Sequence, residues 1–119
     1  MELSRENILE LKVFSNHLYE FKKGVRQMVL YTMSEKYRDY VMKRLQEQNI
    51  PFWILPAGKN TINLFFGKQE CIDVIKVLIN GSLSQLSPEK DFMLGSLLGY
   101  DVCAQCTRYC ERLRERNAS

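Results

Sequence analysis

Apolar residues recur at helical spacing in the first part of the chain. They lie three or four positions apart, at Ile8, Leu11, Phe14, Leu18 and Phe21. Charged and polar residues fill most of the positions between them, which is typical of an amphipathic helix with one buried face. The pattern predicts a helix over residues 5–23, ended by Gly24 in the left-handed conformation that often follows a helix.

The next segment, residues 25–33, has the period of a β-strand. Val29, Tyr31 and Met33 lie on one face, and Met28 and Leu30 lie on the other. Apolar residues on both faces indicate a strand that is covered on both sides, so the pattern predicts a central strand.

A second helix is predicted between a capping serine, Ser34, and Pro51, which disfavours helical geometry in the residue before it. Residues 52–55 and 61–66 then alternate as two strands. The turn-forming residues 56–60 between them predict a hairpin with a short loop. A third helix follows, with Cys71 on its apolar stripe, and ends at Asn80-Gly81.

Two further helices are predicted near the end of the chain. Ser87 and Pro88 form a typical helix start, and Gly99 is a natural stop. Gly95 lies four residues before Gly99 on the same face, a spacing that lets another segment approach closely. Asp101 is predicted to cap the last helix, which runs to about residue 114.

The order of elements predicts an α+β fold in a single domain spanning residues 1–119. Its β-α-β-β-α core resembles a ferredoxin-like unit that lacks the last strand, with an added N-terminal helix and two C-terminal helices. Hairpin pairing and a right-handed crossover predict a three-stranded antiparallel sheet of order 1-3-2. That order conflicts with a central first strand and leaves a long sheet edge. Pairing of the first strand with a second copy of the chain, or coverage by the C-terminal helices, would resolve the conflict. We therefore expect a homodimer.

Composition narrows the protein classes. The chain has 119 residues, 45% of them hydrophobic and 26% charged, with a net charge of +3. No apolar run approaches the ~18 residues that cross a bilayer, and no export signal opens the chain. Four cysteines without such a signal predict reduced thiols in the cytoplasm and no membrane partner. The charge is too mild to indicate nucleic acid, and the C-terminal arginines are interpreted as a solvated face paired with Glu111 and Glu115.

Cys103, Cys106 and Cys110 form the densest reactive cluster, on one face of the last helix. Cys103 and Cys106 have the spacing of a redox C-x-x-C motif, and all three are candidate ligands of zinc or an iron–sulfur cluster. However, ~10.5 Å of helical rise separates Cys103 from Cys110, so one zinc ion does not easily reach both. Further ligands would come from His17, Cys71 or a second subunit. A third hypothesis treats the three thiols as small, packed and inert residues of a buried stripe.

One segment carries a family resemblance. Residues 92–101, Phe-Met-Leu-Gly-Ser-Leu-Leu-Gly-Tyr-Asp, with Gln105-Cys106 and Tyr109 after them, resemble an uncharacterised family of short bacterial proteins, a domain of unknown function. The resemblance implies three strands, five helices and a homodimer, and it implies no activity, catalytic residue or cofactor. The sequence thus favours a small cytoplasmic homodimeric interaction or regulatory module without catalysis. The alternative is a thiol-redox or metal-binding protein that uses Cys103, Cys106 and Cys110.

Overall fold

The computed structural model describes residues 5–118 and places a three-stranded antiparallel sheet between two layers of helices. The helices are α1 (Arg5–Lys22), α2 (Arg38–Glu47), α3 (Gln69–Leu78), α4 (Pro88–Leu97) and α5 (Val102–Ala118). The strands are β1 (Met28–Ser34), β2 (Phe52–Gly58) and β3 (Thr61–Gly67). Short 3-10 turns occupy Glu35–Tyr37 and Leu83–Gln85. The predicted α+β class, with an N-terminal helix and two C-terminal helices, is confirmed.

The strand order is β1-β3-β2, as the crossover argument predicts. β3 pairs antiparallel with both neighbours, and six of its seven residues are buried. The prediction that the first strand is central is therefore wrong, because β1 lies at an edge. Its apolar residues fall on both faces because helices cover both faces of this narrow sheet.

Each face of the sheet has its own core. On one face, Phe14 of α1 and Val41 of α2 pack with Phe66 of β3. On the other, Ile75 of α3 and Leu94 of α4 pack with Phe65 of β3. The period of two along β3 sends Phe65 and Phe66 to opposite faces, so one strand supports both cores.

The β2–β3 hairpin is longer than the sequence suggests. β2 continues through Pro56 to Gly58, which leaves only Lys59 and Asn60 as the turn. Pro56 lies in an edge strand, where a missing N–H group costs least, and a register irregularity follows it. Asn60 adopts φ +62°, a left-handed conformation that asparagine tolerates in tight turns.

The segment that follows β1 also differs from the prediction. The Ser34 side chain makes no capping hydrogen bond, and a 3-10 turn precedes α2. Instead, the Ser34 N–H donates to the Glu10 carboxylate at 2.8 Å, and the Tyr31 hydroxyl donates to the Glu10 carbonyl at 3.3 Å. These contacts fix α1 against β1 and its outer edge. Within residues 5–118, no helix combines the length and the apolar character needed to cross a membrane.

Candidate functional site

Local sequence signals shape the hairpin formed by α4 and α5. The Ser87 hydroxyl accepts a hydrogen bond from the Lys90 N–H at 3.2 Å, with a proline at the first helical position after it. The hairpin turns at Gly99, whose φ of +78° suits glycine. Asp101 then caps α5 by accepting the Ala104 N–H at 2.8 Å. The predicted starts of both helices are confirmed.

Gly95 is the point of closest approach between the two helices. A Cβ atom added there would lie 2.0 Å from the side-chain oxygen of Gln105. The sequence predicts a close approach at this position, and the structure shows that the approaching group is the Gln105 side chain of α5.

Charged side chains hold α5 against α4. Arg108 donates to both Asp91 oxygens, at 2.7 and 3.3 Å, and an Arg112 nitrogen lies 3.5 Å from the same carboxylate. Arg112 also donates to the Leu86 carbonyl at 2.8 Å. Asp91 therefore accepts from two arginines one helical turn apart, which fixes the rotation of α5 on α4.

A second group of side chains surrounds Glu89. Arg116 donates to both of its carboxylate oxygens, at 2.9 and 3.1 Å, and the Tyr109 hydroxyl donates to one of them at 2.8 Å. Hydrogen bonds first from Arg116 and then from Tyr109 lower the pKa of Glu89 from 4.5 to about 2. The Tyr109 ring also lies 5.6 Å from the ring of Phe92.

The face of α5 that carries the cysteines is turned toward solvent. None of its residues, all of which the structure describes, is buried, and Cys103, Cys106 and Cys110 are exposed. The hypothesis that these three thiols pack inertly in a core is therefore wrong. Polar contacts with α4 hold α5 where the sequence suggested an apolar stripe. Cys71 differs, because it is partly buried against the core below α3.

An apolar surface extends across the outer sides of α3, α4 and α5. It contains two adjoining cavities of about 430 and 390 Å³, which share Phe92 and Met93. We call the apolar surface the set formed by Val74, Leu78, Phe92, Met93, Leu97, Cys106, Tyr109 and Cys110. Met93 lies at its centre and is 49% exposed. The structure thus places Cys106 and Cys110 on this surface and leaves Cys103 outside the two cavities.

Other candidate ligands lie elsewhere in the structure. His17 is half-buried in α1, with its ring 5.2 Å from that of Tyr31. Burial, and then the charge of Arg26, lower its pKa, while Glu20 raises it. Its Nδ1 is buried without a partner among the residues described, although a hydrogen bond to a neighbour was expected. Within that same part of the chain, no three histidine, cysteine or acidic residues converge as a metal site. The cysteine metal site stays a prediction.

The sequence matches the family described as "Protein of unknown function (DUF2023)" over residues 12–112. The chain belongs to this family. The match to DUF2023 covers most of the chain, including the glycine pair, the cap of α5 and all four cysteines, and it confirms the resemblance to an uncharacterised domain family. A comparison with curated proteins finds no match.

The main features that sequence reasoning missed are the contacts between α4 and the arginines of α5. Membership of DUF2023 gives no chemistry to this site, so its interpretation depends on geometry. Arg108, Arg112 and Arg116 recur every four residues, which places them on one helix face. The acids Glu89 and Asp91 begin the preceding helix. That pairing of a basic face with an acidic helix start was the available signal.

Proposed function

We propose that this protein is a non-catalytic interaction module that acts in the cytoplasm as a homodimer through its apolar surface. The observation that carries the proposal is the exposure of Phe92, Met93 and Tyr109 over two adjoining apolar cavities. Large contiguous apolar patches on folded proteins mark sites of association. Aromatic and methionine side chains are also enriched at such contacts.

The chemistry of the surface favours a second copy of the chain as its occupant. A symmetric dimer brings the same patch of both subunits together, so a charged patch would repel itself and an apolar one would not. The rim carboxylate of Glu89 is already paired with Arg116 within the chain. The Cα radius of gyration is also 15.7 Å, against about 13.5 Å for a compact domain of this length. An elongated chain with an exposed terminal helix gains burial by pairing.

The alternative contact, through the edge of β1, has less support. The Glu10 carboxylate occupies the Ser34 N–H, and the Tyr31 hydroxyl also bonds to α1. A strand added at this end of β1 would have to displace those bonds. We therefore assign the dimer contact to the C-terminal helices.

Sedimentation velocity over a range of protein concentrations tests this assignment. We expect a species of twice the 14.0 kDa monomer mass. Met93→Lys places a charge in the shared centre of the surface and should shift the protein to monomer. Val25→Lys is the matched control, because Val25 is 70% exposed and lies between α1 and β1. A wild-type protein that stays monomeric at several hundred micromolar would refute the proposal.

The exposed thiols support a second candidate, thiol redox or metal binding. Cys103 and Cys106 lie one turn apart in the first turns of α5, which suits the closure of a disulfide when an oxidant removes two electrons. Zinc or an iron–sulfur cluster would need ligands beyond α5, for example from a second subunit.

Metal analysis and thiol counting of freshly purified protein test this candidate. Stoichiometric zinc or iron that is lost in Cys106→Ser would favour the metal function. Two fewer free thiols after mild oxidation, abolished by Cys103→Ser, would favour the redox function. A metal-free protein with four thiols that survive oxidation would exclude both.

A further inference from the structure

A cavity of about 470 Å³ opens between α1 and α2, in the helix layer opposite the apolar surface. Its volume falls within the about 300–1,000 Å³ range of small-molecule sites. Buried Leu18 lies among the lining residues. The polar lining consists of Ser15, Tyr19, Lys22, Lys23, Arg44 and Gln48. The cavity is therefore lined by several hydrogen-bonding groups and three cations, without an acid.

These three cations are not neutralised within the described chain. Lys23 lies over the Tyr19 ring at 5.4 Å, and Arg44 donates to the Tyr40 hydroxyl at 3.1 Å. Neither forms an ion pair with a carboxylate of residues 5–118, and the same holds for Lys22. By contrast, Lys43 of the same helix as Arg44 faces Glu47 at 4.0 Å.

The ends of the two helices offset only part of this charge. Lys22 ends α1, and Arg44 lies in the last turn of α2, where the helix dipole attracts cations. That dipole amounts to roughly half an elementary charge for each helix end. Three full charges against two such ends leave a net charge of about +2 at the cavity. The excess makes the cavity attractive to an anion that carries more than one charge.

Two other lining groups indicate what else the anion carries. The Gln48 side-chain oxygen is buried and accepts no hydrogen bond from the part of the chain described, whereas buried oxygens normally have a donor. A hydroxyl or amino group of a ligand would supply one. The Tyr19 ring is 62% exposed and offers a flat face for stacking.

We propose that this cavity binds an organic phosphate of mononucleotide size. Lys22, Lys23 and Arg44 contact the phosphate, Tyr19 stacks on the planar group, and Gln48 accepts a hydrogen bond from the ligand. The site is separate from the apolar surface, and it holds whether or not the protein dimerises there.

Titration of the ¹⁵N-labelled full chain with AMP, followed by NMR, tests the proposal. We expect saturable shift changes at the cavity residues of α1 and α2. Inorganic phosphate should shift the same amides with weaker affinity, and adenosine should bind at least tenfold more weakly than AMP. Shifts scattered over the whole surface, or equal binding of adenosine and AMP, would overturn it. A single-stranded oligonucleotide that binds far more tightly than AMP would also overturn it, in favour of a nucleic-acid surface.

Variants separate a built site from general charge attraction. Arg44→Gln should weaken AMP about tenfold, the equivalent of one charge-assisted contact of about 1.4 kcal/mol. Lys43→Gln removes the same charge from the adjacent position, whose side chain is 78% exposed and lies outside the cavity, and should change binding less than twofold. Tyr19→Leu should weaken AMP and leave inorganic phosphate unchanged. Equal losses in the Arg44 and Lys43 variants would overturn the proposal, provided that both unfold in urea like the wild type.

Discussion

Replacing Asp91 with asparagine should loosen α5 from the rest of the protein. Asp91 accepts Arg108 through two hydrogen bonds and faces Arg112 at 3.5 Å. Its side chain is only 20% exposed, although Arg108 is 59% exposed. Asp91→Asn keeps the shape of the side chain and removes the charge that both arginines contact.

The expected cost follows from these geometries. An exposed ion pair contributes roughly 0.2–1 kcal/mol, and a two-point contact with a partly buried carboxylate lies near the top of that range. Asp91 also loses a favourable interaction with the start of α4, worth about 0.3–1 kcal/mol. Since the two arginine contacts are coupled through one carboxylate, we expect a total loss of about 1–2 kcal/mol.

Amide hydrogen exchange and urea unfolding together measure this loss. Because α5 has no buried residue, its amides should lose protection before those of β3. A Met93→Lys background keeps dimer formation out of the comparison. Asp73→Asn is the control, since the Asp73 side chain contacts only Gln69 across an exposed helix face, and it should cost less than about 0.5 kcal/mol.

One result would refute this reasoning about α5. If Asp91→Asn unfolded within about 0.3 kcal/mol of its parent, with unchanged exchange across α5, the ion pairs would not be what holds the helix. Equal losses in the Asp91 and Asp73 variants would point to a general effect of charge.

Three further predictions concern acid stability, helix packing and the core. The folded pKa of Glu89, about 2, lies below its ordinary 4.5, so its contribution is complete above pH 4.5 and is lost as pH falls toward 2. Glu89→Gln should therefore destabilise the protein at pH 7 and match the wild type at pH 2, as measured by urea unfolding. Gly95→Ala together with Gln105→Ala should be more stable than Gly95→Ala alone by about 0.5–1 kcal/mol, because the helix-favouring methyl group no longer meets the amide. Ile75→Ala should cost about 2–5 kcal/mol and Val77→Ala less than about 0.5 kcal/mol, since Ile75 is fully buried and Val77 is 76% exposed.

Each of these predictions has a contrary outcome. A stability difference for Glu89→Gln that stayed constant down to pH 2 would show that its carboxylate is not held ionised by its partners. Identical stabilities of the single and double helix variants would show that Gln105 moves aside freely. Comparable losses at Ile75 and Val77 would contradict the placement of α3 over the sheet.

Local patterns were sufficient to predict most of the fold. Helix caps and stops at Ser87, Gly99 and Asp101 act over a few residues, so the sequence identifies them directly. The order of the strands also follows, because a hairpin and a right-handed crossover leave few arrangements. The position of β1 was ambiguous, since two-sided burial does not distinguish a central strand from an edge strand between two helix layers.

The site depends on contacts that periodicity cannot reveal. The stripe through Cys106 and Tyr109 has the spacing of a buried face, yet polar contacts between α5 and α4 turn much of that stripe outward. Which face of a helix is buried depends on its partner, and that partner is set by tertiary packing. The cavity between α1 and α2 also joins Lys23 with Arg44, which lie twenty-one residues apart in the chain.

The central claim is that the apolar surface is the dimer contact, and the native thiols can test it directly. Cys106 and Cys110 lie on that surface, and Cys103 is exposed outside its two cavities. Alkylation rates measured for each thiol by mass spectrometry, from dilute to concentrated protein, follow burial at the contact. The account predicts that Cys106 and Cys110 become protected as concentration rises while Cys103 continues to react at the same rate. Equal rates for all three thiols at every concentration, in a protein that sediments as a dimer, would place the contact elsewhere and contradict the claim.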